Sequence, residues 1–354
     1  LTLRSGDAGT AHEMAAEVCA LAERHQDADL LAASRHVQGR AAIQLGEVPR
    51  ALALLDETML AVSRQELSPI MTGLMYCSVI RACSEICELG RAREWTLALS
   101  RWCDDQLGLV AFTDSCMVHR AEVMRFQGAW QDALSEVIGI CDRCAQGERI
   151  PPAEAFYLQG EVHRLRGNFE LADSAYRAAS QRGFEPQPGL ALLRVAQGRK
   201  DAAAAAIGRL VAATQDRLQR ARLLPAHVEI MLCIGDLEEA ERACDELDAL
   251  CALFGTDVMR ALSAQARGET ALRRGDAGAA LPSLRRAFHL WDRLDFPYEA
   301  ARVRVRIGEA CRELGDEEAC MLEDDAARTA FERLGAAGVL MGLDSPGRSV
   351  WELC

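Results

Sequence analysis

A glycine followed five residues later by a small residue recurs along this chain at near-constant spacing. The pairs are Gly6/Ala11, Gly46/Ala51, Gly128/Ala133, Gly167/Ala172, Gly198/Ala203, Gly235/Ala240 and Gly275/Ala280. Gly90 and Gly315 keep the glycine but are followed at that distance by Trp95 and Cys320. Successive glycines stand 40, 44, 38, 39, 31, 37, 40 and 40 residues apart. Glycine tolerates the left-handed backbone that closes a helix, so each marks a turn between two helices. Seven residues before each glycine after the first come Gly39, Cys83, Ala121, Gly160, Ala191, Val228, Gly268 and Gly308, and all but Val228 are small. Two small positions kept in phase allow paired helix axes to approach closely, and a period of this length means a one-dimensional stack of helix pairs. The expected fold is all-α, a right-handed superhelical solenoid of helix-turn-helix repeats. It covers residues 1–334 with about nine pairs, followed by a C-terminal tail at residues 335–354. The first pair is incomplete because Leu1 lies five residues before Gly6, and a start inside a repeat reads as a fragment.

The stretch Phe156 to Ala179 shows one unit in full. Phe156, Gly160 and His163 share a face of a helix ending near Arg166, Gly167-Asn168 breaks the pattern, and Phe169, Ala172, Tyr176 and Ala179 restart it. The order aromatic, Gly, Gly, Ala, aromatic, Ala resembles the tetratricopeptide (TPR) pattern, with a longer period than the usual roughly 34 residues. Helices of roughly 15 residues follow from that period. Gly-Asp at Gly6, Gly235, Gly275 and Gly315 places an aspartate to cap the next helix. Ser63 to Pro69 and Gln146 to Pro152 read as connectors. Gly183 to Gly189, with two prolines, interrupts most strongly and leaves room only for a short helix before Gly198. Pro225 either kinks a helix or starts one.

Half of the residues are hydrophobic but only 5% aromatic, so the core is built mainly from Ala and Leu, which favour helix. A net charge of −13 argues against direct nucleic-acid contact, which needs a basic surface. No apolar run reaches the roughly 18 residues of a membrane span. The 14 cysteines fall inside helical patterns, and they read as reduced thiols of a cytoplasmic protein.

Longer stretches resemble one bacterial family. They include Met75 to Glu88 (MYCSVIRACSEICE), Arg91 to Cys103 (RAREWTLALSRWC), Val118 to Trp130 (VHRAEVMRFQGAW), Glu185 to Gly198 (EPQPGLALLRVAQG), Arg220 to Asp236 (RARLLPAHVEIMLCIGD) and Pro297 to Gly315 (PYEAARVRVRIGEACRELG). These are similar to the TPR-like region of actinobacterial LuxR-type transcriptional regulators, and Ala326 to Leu334 looks like the last helix before that family's DNA-binding domain. The resemblance implies a region that senses a signal or assembles the regulator. The sequence holds no G-x-x-x-x-G-K-[ST] phosphate loop, and the DNA-binding helices would begin after Ser349 to Cys354. The alternative is a free-standing TPR scaffold joining two proteins.

Two constellations bear on chemistry. Cys116-x-x-His119 and Cys141-x-x-Cys144 are soft ligands in two i, i+3 pairs. Their separation matches the helix-to-helix connection of any unit here, so they read as packing residues and neither metal nor cofactor is expected. The second is a ladder of carboxylates one residue after the close-approach site: Glu122, Glu161, Glu229, Glu269 and Glu309. Arg125, Arg164 and Arg312 follow three residues later, within reach of an i, i+3 ion pair. With His36, Arg40, Tyr157 and Gln265 they are expected to line the concave face. There they form either a groove for a protein or small-molecule effector or a solvated surface of local pairs. Self-association is left open. No H-E-x-x-H or G-x-S-x-G occurs, and no enzymatic activity is expected.

Overall fold

A computed structural model describes residues 7–105, 110–147 and 150–337. Gly6 and the tail from residue 338 lie outside them, as do the side chains of Asp104 and of residues 110–116. The described residues form 17 helices and no strand: α1 (Ala8–His25), α2 (Ala28–Leu45), α3 (Val48–Ser63), α4 (Pro69–Glu85), α5 (Leu89–Asp105), α6 (Val110–Phe126), α7 (Trp130–Gln146), α8 (Ala153–Leu165), α9 (Phe169–Ser180), α10 (Gly189–Ala196), α11 (Lys200–Ala213), α12 (Arg217–Ile234), α13 (Leu237–Phe254), α14 (Asp257–Arg273), α15 (Ala277–Arg293), α16 (Pro297–Glu313) and α17 (Glu317–Leu334). Here α1 is the second helix of the incomplete first pair, and eight full pairs follow. The fold is all-α, built of TPR-like helix-turn-helix repeats.

The chain divides into two units, residues 1–120 with 252–256, and residues 121–251 with 257–354. In both, the turns obey the same chemistry. Gly46, Gly128, Gly167, Gly198, Gly235, Gly275 and Gly315 all have φ between 76° and 83°. At Gly167 the amide of Gly167 reaches the Arg164 carbonyl at 3.0 Å and that of Asn168 the His163 carbonyl at 2.8 Å, satisfying carbonyls the helix end leaves open. The four expected aspartate caps are present. Asp7 accepts from the Thr10 amide at 3.0 Å, Asp236 from Glu239 at 3.1 Å, Asp276 from Ala279 at 2.9 Å and Asp316 from Ala319 at 3.0 Å.

One turn is displaced from its expected place. Gly90 lies inside α5, and the left-handed residue is Cys87, at φ 61°. The Cys87 amide bonds the Ser84 carbonyl and the Glu88 amide the Cys83 carbonyl, as at Gly167. The packing residue five positions on is therefore the buried Ala92 and not Trp95, and the residue seven before is Ile80 and not Cys83. Cys87 stands 41 residues after Gly46 and 41 before Gly128, so the true period is more regular than the glycines suggest. A non-glycine residue accepts this conformation at a cost of about 1–2 kcal/mol, which leaves no mark in the sequence pattern.

Small residues set the pair spacing where expected. A Cβ on Gly160 would meet the Tyr176 ring at 2.5 Å, and one on Gly268 the Leu284 side chain at 2.6 Å. The interruption at 183–189 leaves α10 with eight residues, the shortest helix among those described. Pro225 does not start its helix. α12 begins at Arg217, capped by Asp216, and the proline lies inside it.

Candidate functional site

The residues singled out from the sequence all lie on first helices of pairs, namely α2, α6, α8, α12, α14 and α16. In the first unit these are His36 and Arg40 on α2. Arg40 pairs with Glu85 of α4 at 2.7 Å. Burial, with the Arg40 charge adding to it, holds His36 down to about 4, so its imidazole is neutral near pH 7.

The other ten fall in the second unit. Three of its carboxylates are held across helices. Glu161 on α8 accepts from Arg164 at 3.0 Å through one oxygen and from the Tyr176 hydroxyl of α9 through the other. Glu229 on α12 pairs with Arg302 of α16 at 2.9 Å. Glu269 on α14 receives the Gln265 side-chain amide at 2.9 Å and faces the Arg306 guanidinium of α16 at 4.0 Å. Gln265 in turn accepts from the indole of Trp291 at 2.9 Å. Arg306 also binds Glu309 at 3.1 Å. Polar contacts thus tie the first helices α12, α14 and α16 together, and the Arg164 charge of α8 acts on Glu229 of α12.

The electrostatics follow from that burial. Glu161 is 6% exposed and Glu269 is 4% exposed. Burial pushes the Glu161 carboxyl up, but Arg164, Arg125 and the two hydrogen bonds outweigh it and hold it below its usual value. Glu229 is likewise held low against burial, chiefly by Arg302. Glu269 goes the other way: burial wins, Glu229 adds repulsion, and Arg306 and Arg302 offset only part. Burial also raises Tyr157, Tyr176 and Tyr298, so all three phenols stay protonated donors at neutral pH.

Aromatic rings join the unit's opening repeat to its closing one. Phe126 at the end of α6 stacks on Phe296 at 5.0 Å, and Phe296 stacks on Trp291 at 5.5 Å. Trp130 meets Tyr298 edge-on at 5.5 Å, and Tyr298 meets Phe331 at 5.8 Å.

Several expectations change in detail. Among the described residues, Glu161–Arg164 is the one of the three expected i, i+3 pairs that forms. Arg312 bonds Asp324 of α17 at 2.9 Å and is half-exposed, while Arg306, six residues earlier, holds Glu309 at 3.1 Å. Arg125 lies over the Phe126 ring at 3.9 Å, and among the described residues it makes no ion pair with Glu122. Instead of a uniformly solvated row, the ladder has two members, Glu161 and Glu269, in the core. Among the described residues no group of three or more His, Cys, Asp or Glu is placed to hold a metal ion, and Cys116 lies outside those residues.

Arg302, Arg306, the Tyr176 hydroxyl and Trp291 are not picked out by the sequence pattern. The first two were hidden by the alternation Arg302, Arg304, Arg306, which reads as a plain polar helix. Arg302 and Arg306 are four apart and share a face, whereas Arg304 pairs with Glu323 of α17 at 2.6 Å. Arg306 stands two residues before the close-approach Gly308, where Leu158 and Ala266 stand in their repeats, and that unexpected charge at a core position was the available signal.

No family model matches the chain, and no curated protein matches it. Among solved structures it is similar to a tetratricopeptide repeat protein from Parabacteroides merdae ATCC 43184, at 14% identity over 79% of this chain and 96% of that one, with a TM-score of 0.39. It is similar to a Rap protein complexed with competence and sporulation factor, at 12% identity over 88% of this chain and 80% of that one, TM-score 0.41. It is also similar to the APC/C hetero-tetramer Cut9-Hcn1, at 15% identity over 90% of this chain and 71% of that one, TM-score 0.44. No described helix is long and apolar enough to cross a membrane.

Proposed function

We propose that this chain is a non-catalytic binding module that takes a protein or small-molecule effector on the inner face of its first helices. The observation that carries the reading is the convergence of polar and aromatic side chains from α8, α12, α14 and α16 on one interior, held by ion pairs such as Arg302–Glu229. Glu161 and Glu269 act there as struts, while Tyr157, Glu122, Arg125 and the exposed Arg222 remain to meet a ligand. A photoreactive residue placed at position 222 in the producing cells should crosslink a specific partner or effector, and the same residue at Ser174 on the outer face of α9 should not. Crosslinks from 174 with none from 222 would put the binding surface on the second helices.

Within that reading we assign the chain to the sensor or assembly region of a LuxR-type regulator, on the resemblance of the stretches quoted above. A free-standing scaffold is the alternative, and the mass of the native gene product separates the two. A product well above 38.6 kDa supports the regulator, and one at 38.6 kDa supports the scaffold. A cytoplasmic location is part of the proposal, supported by Cys83, Cys244, Cys311 and Cys320, which are buried as free thiols.

A further inference from the structure

We propose that the second unit is a two-armed clamp, and that an aromatic clasp between its first and last repeats opens to admit solvent or a ligand to its polar interior. A repeat in a linear stack packs only against its neighbours. Here the turn between α6 and α7 also reaches the last pair, across four intervening pairs. Phe126 stacks on Phe296 at 5.0 Å, and Trp130 meets Tyr298 edge-on at 5.5 Å. A Cβ on Gly128 would run into the Leu334 side chain of α17 and would meet Pro297 at 3.2 Å.

The polar ties of the interior stay on one side of that clasp or the other. Glu161, Arg164 and Tyr176 bond one another within α8 and α9. Glu229–Arg302, Glu269–Arg306 and Gln265–Trp291 all lie within α12 to α16. Between these two arms run the rings of the clasp and the field of Arg164 on Glu229. The chain joins the arms through α10 and α11, the third of the unit's six pairs. α10 has only eight residues, and before it Gly183 turns at φ 79° with nothing within 4 Å of an added Cβ. The least regular repeat thus stands between the arms, where a few loop residues can absorb a hinge motion.

Two opposing terms make the clasp releasable. Glu161, Gln265, Glu269 and Arg306 are only 4–7% exposed, although the first helices of an open stack face solvent. Burying charged groups is costly even when they are paired. Opening returns water to these groups and separates the rings, so the gain on one side offsets the loss on the other and both forms are populated.

The test is arginine labelling of the full chain with phenylglyoxal, read by mass spectrometry beside circular dichroism and small-angle X-ray scattering. Phe126→Ala and Leu334→Asp each remove one half-buried contact of the clasp. They leave the buried residues of their own helices, Ala121 on α6 and Phe331 on α17, in place. An open state holding at most about 10% of the wild-type chain makes full opening worth about tenfold or more in labelling rate. That acceleration is expected at Arg164 in one arm and Arg306 in the other, with a larger radius of gyration and unchanged helicity. Arg177, exposed on α9, should label at the wild-type rate throughout. Leu171→Asp, at an exposed apolar residue of the same helix, should behave as the wild type. Unchanged labelling of Arg164 and Arg306 in both variants overturns the proposal. Loss of helicity in both also overturns it, because the rings would then belong to one obligatory core; where one variant alone unfolds, the other decides. The proposal goes beyond the inner-face reading and its readout needs no ligand. Crosslinking from position 222 can therefore fail while the clasp opens, and a clasp that never opens leaves that crosslinking to be judged by itself.

Discussion

Gly90 and Gly275 make a clean comparison, because a methyl group added at either would meet no neighbour within 4 Å. They differ only in backbone. Gly275 has φ 83° at a helix end, and Gly90 sits inside α5. Gly275→Ala should therefore cost about 1 kcal/mol, whereas Gly90→Ala should stabilise by up to about 1 kcal/mol, both read by urea unfolding. His36 supplies a pH dependence with a definite sign. Its folded value of about 4 lies below the ordinary 6.5, so between those values the unfolded chain holds the extra proton. Stability should be complete above pH 6.5 and fall as pH drops towards 4, by an amount on the order of 3 kcal/mol. His36→Gln should flatten that slope in unfolding measured at successive pH values. Glycine's special backbone is why most turns could be read from sequence. Cys87 escaped because a non-glycine in the left-handed region looks like any other residue.

Each helix pair closes by the same local rules, which are written in four to six consecutive residues and so are open to sequence reading. Asp236, Asp276 and Asp316 cap their helices as Gly-Asp predicts. Asp276→Ala should cost about 1 kcal/mol in thermal or urea unfolding, while Glu47→Ala, at a turn whose side chain makes no capping bond, should cost only a few tenths. The short α10 was also legible, since two prolines within 183–189 consume the residues a full first helix would need. Pro225 was ambiguous because a proline pattern does not say whether the helix starts before or at it. Here Asp216 caps α12 nine residues upstream and decides the matter.

Across the second unit, the ladder was legible as a set of positions but not as an environment. Periodicity placed Glu161, Glu229, Glu269 and Glu309 on equivalent helices. It did not show that Arg302 of α16 reaches Glu229 of α12, 73 residues away, or that Arg306 reaches Glu269. Such pairings depend on how repeats stack, and a charged side chain carries the same local signature whether it faces water or a partner. Removing one partner of a partly buried pair leaves an under-compensated charge, so Glu229→Gln and Arg302→Gln should each destabilise by several kcal/mol at most and about 1 kcal/mol at least. The claim on which the functional account depends is that these first helices share one interior and are tied across it by charge. A double-mutant cycle between Glu229 and Arg302, measured by urea unfolding, tests it most directly. The account predicts a coupling of about 1–3 kcal/mol, and effects that add to within about 0.5 kcal/mol would contradict it.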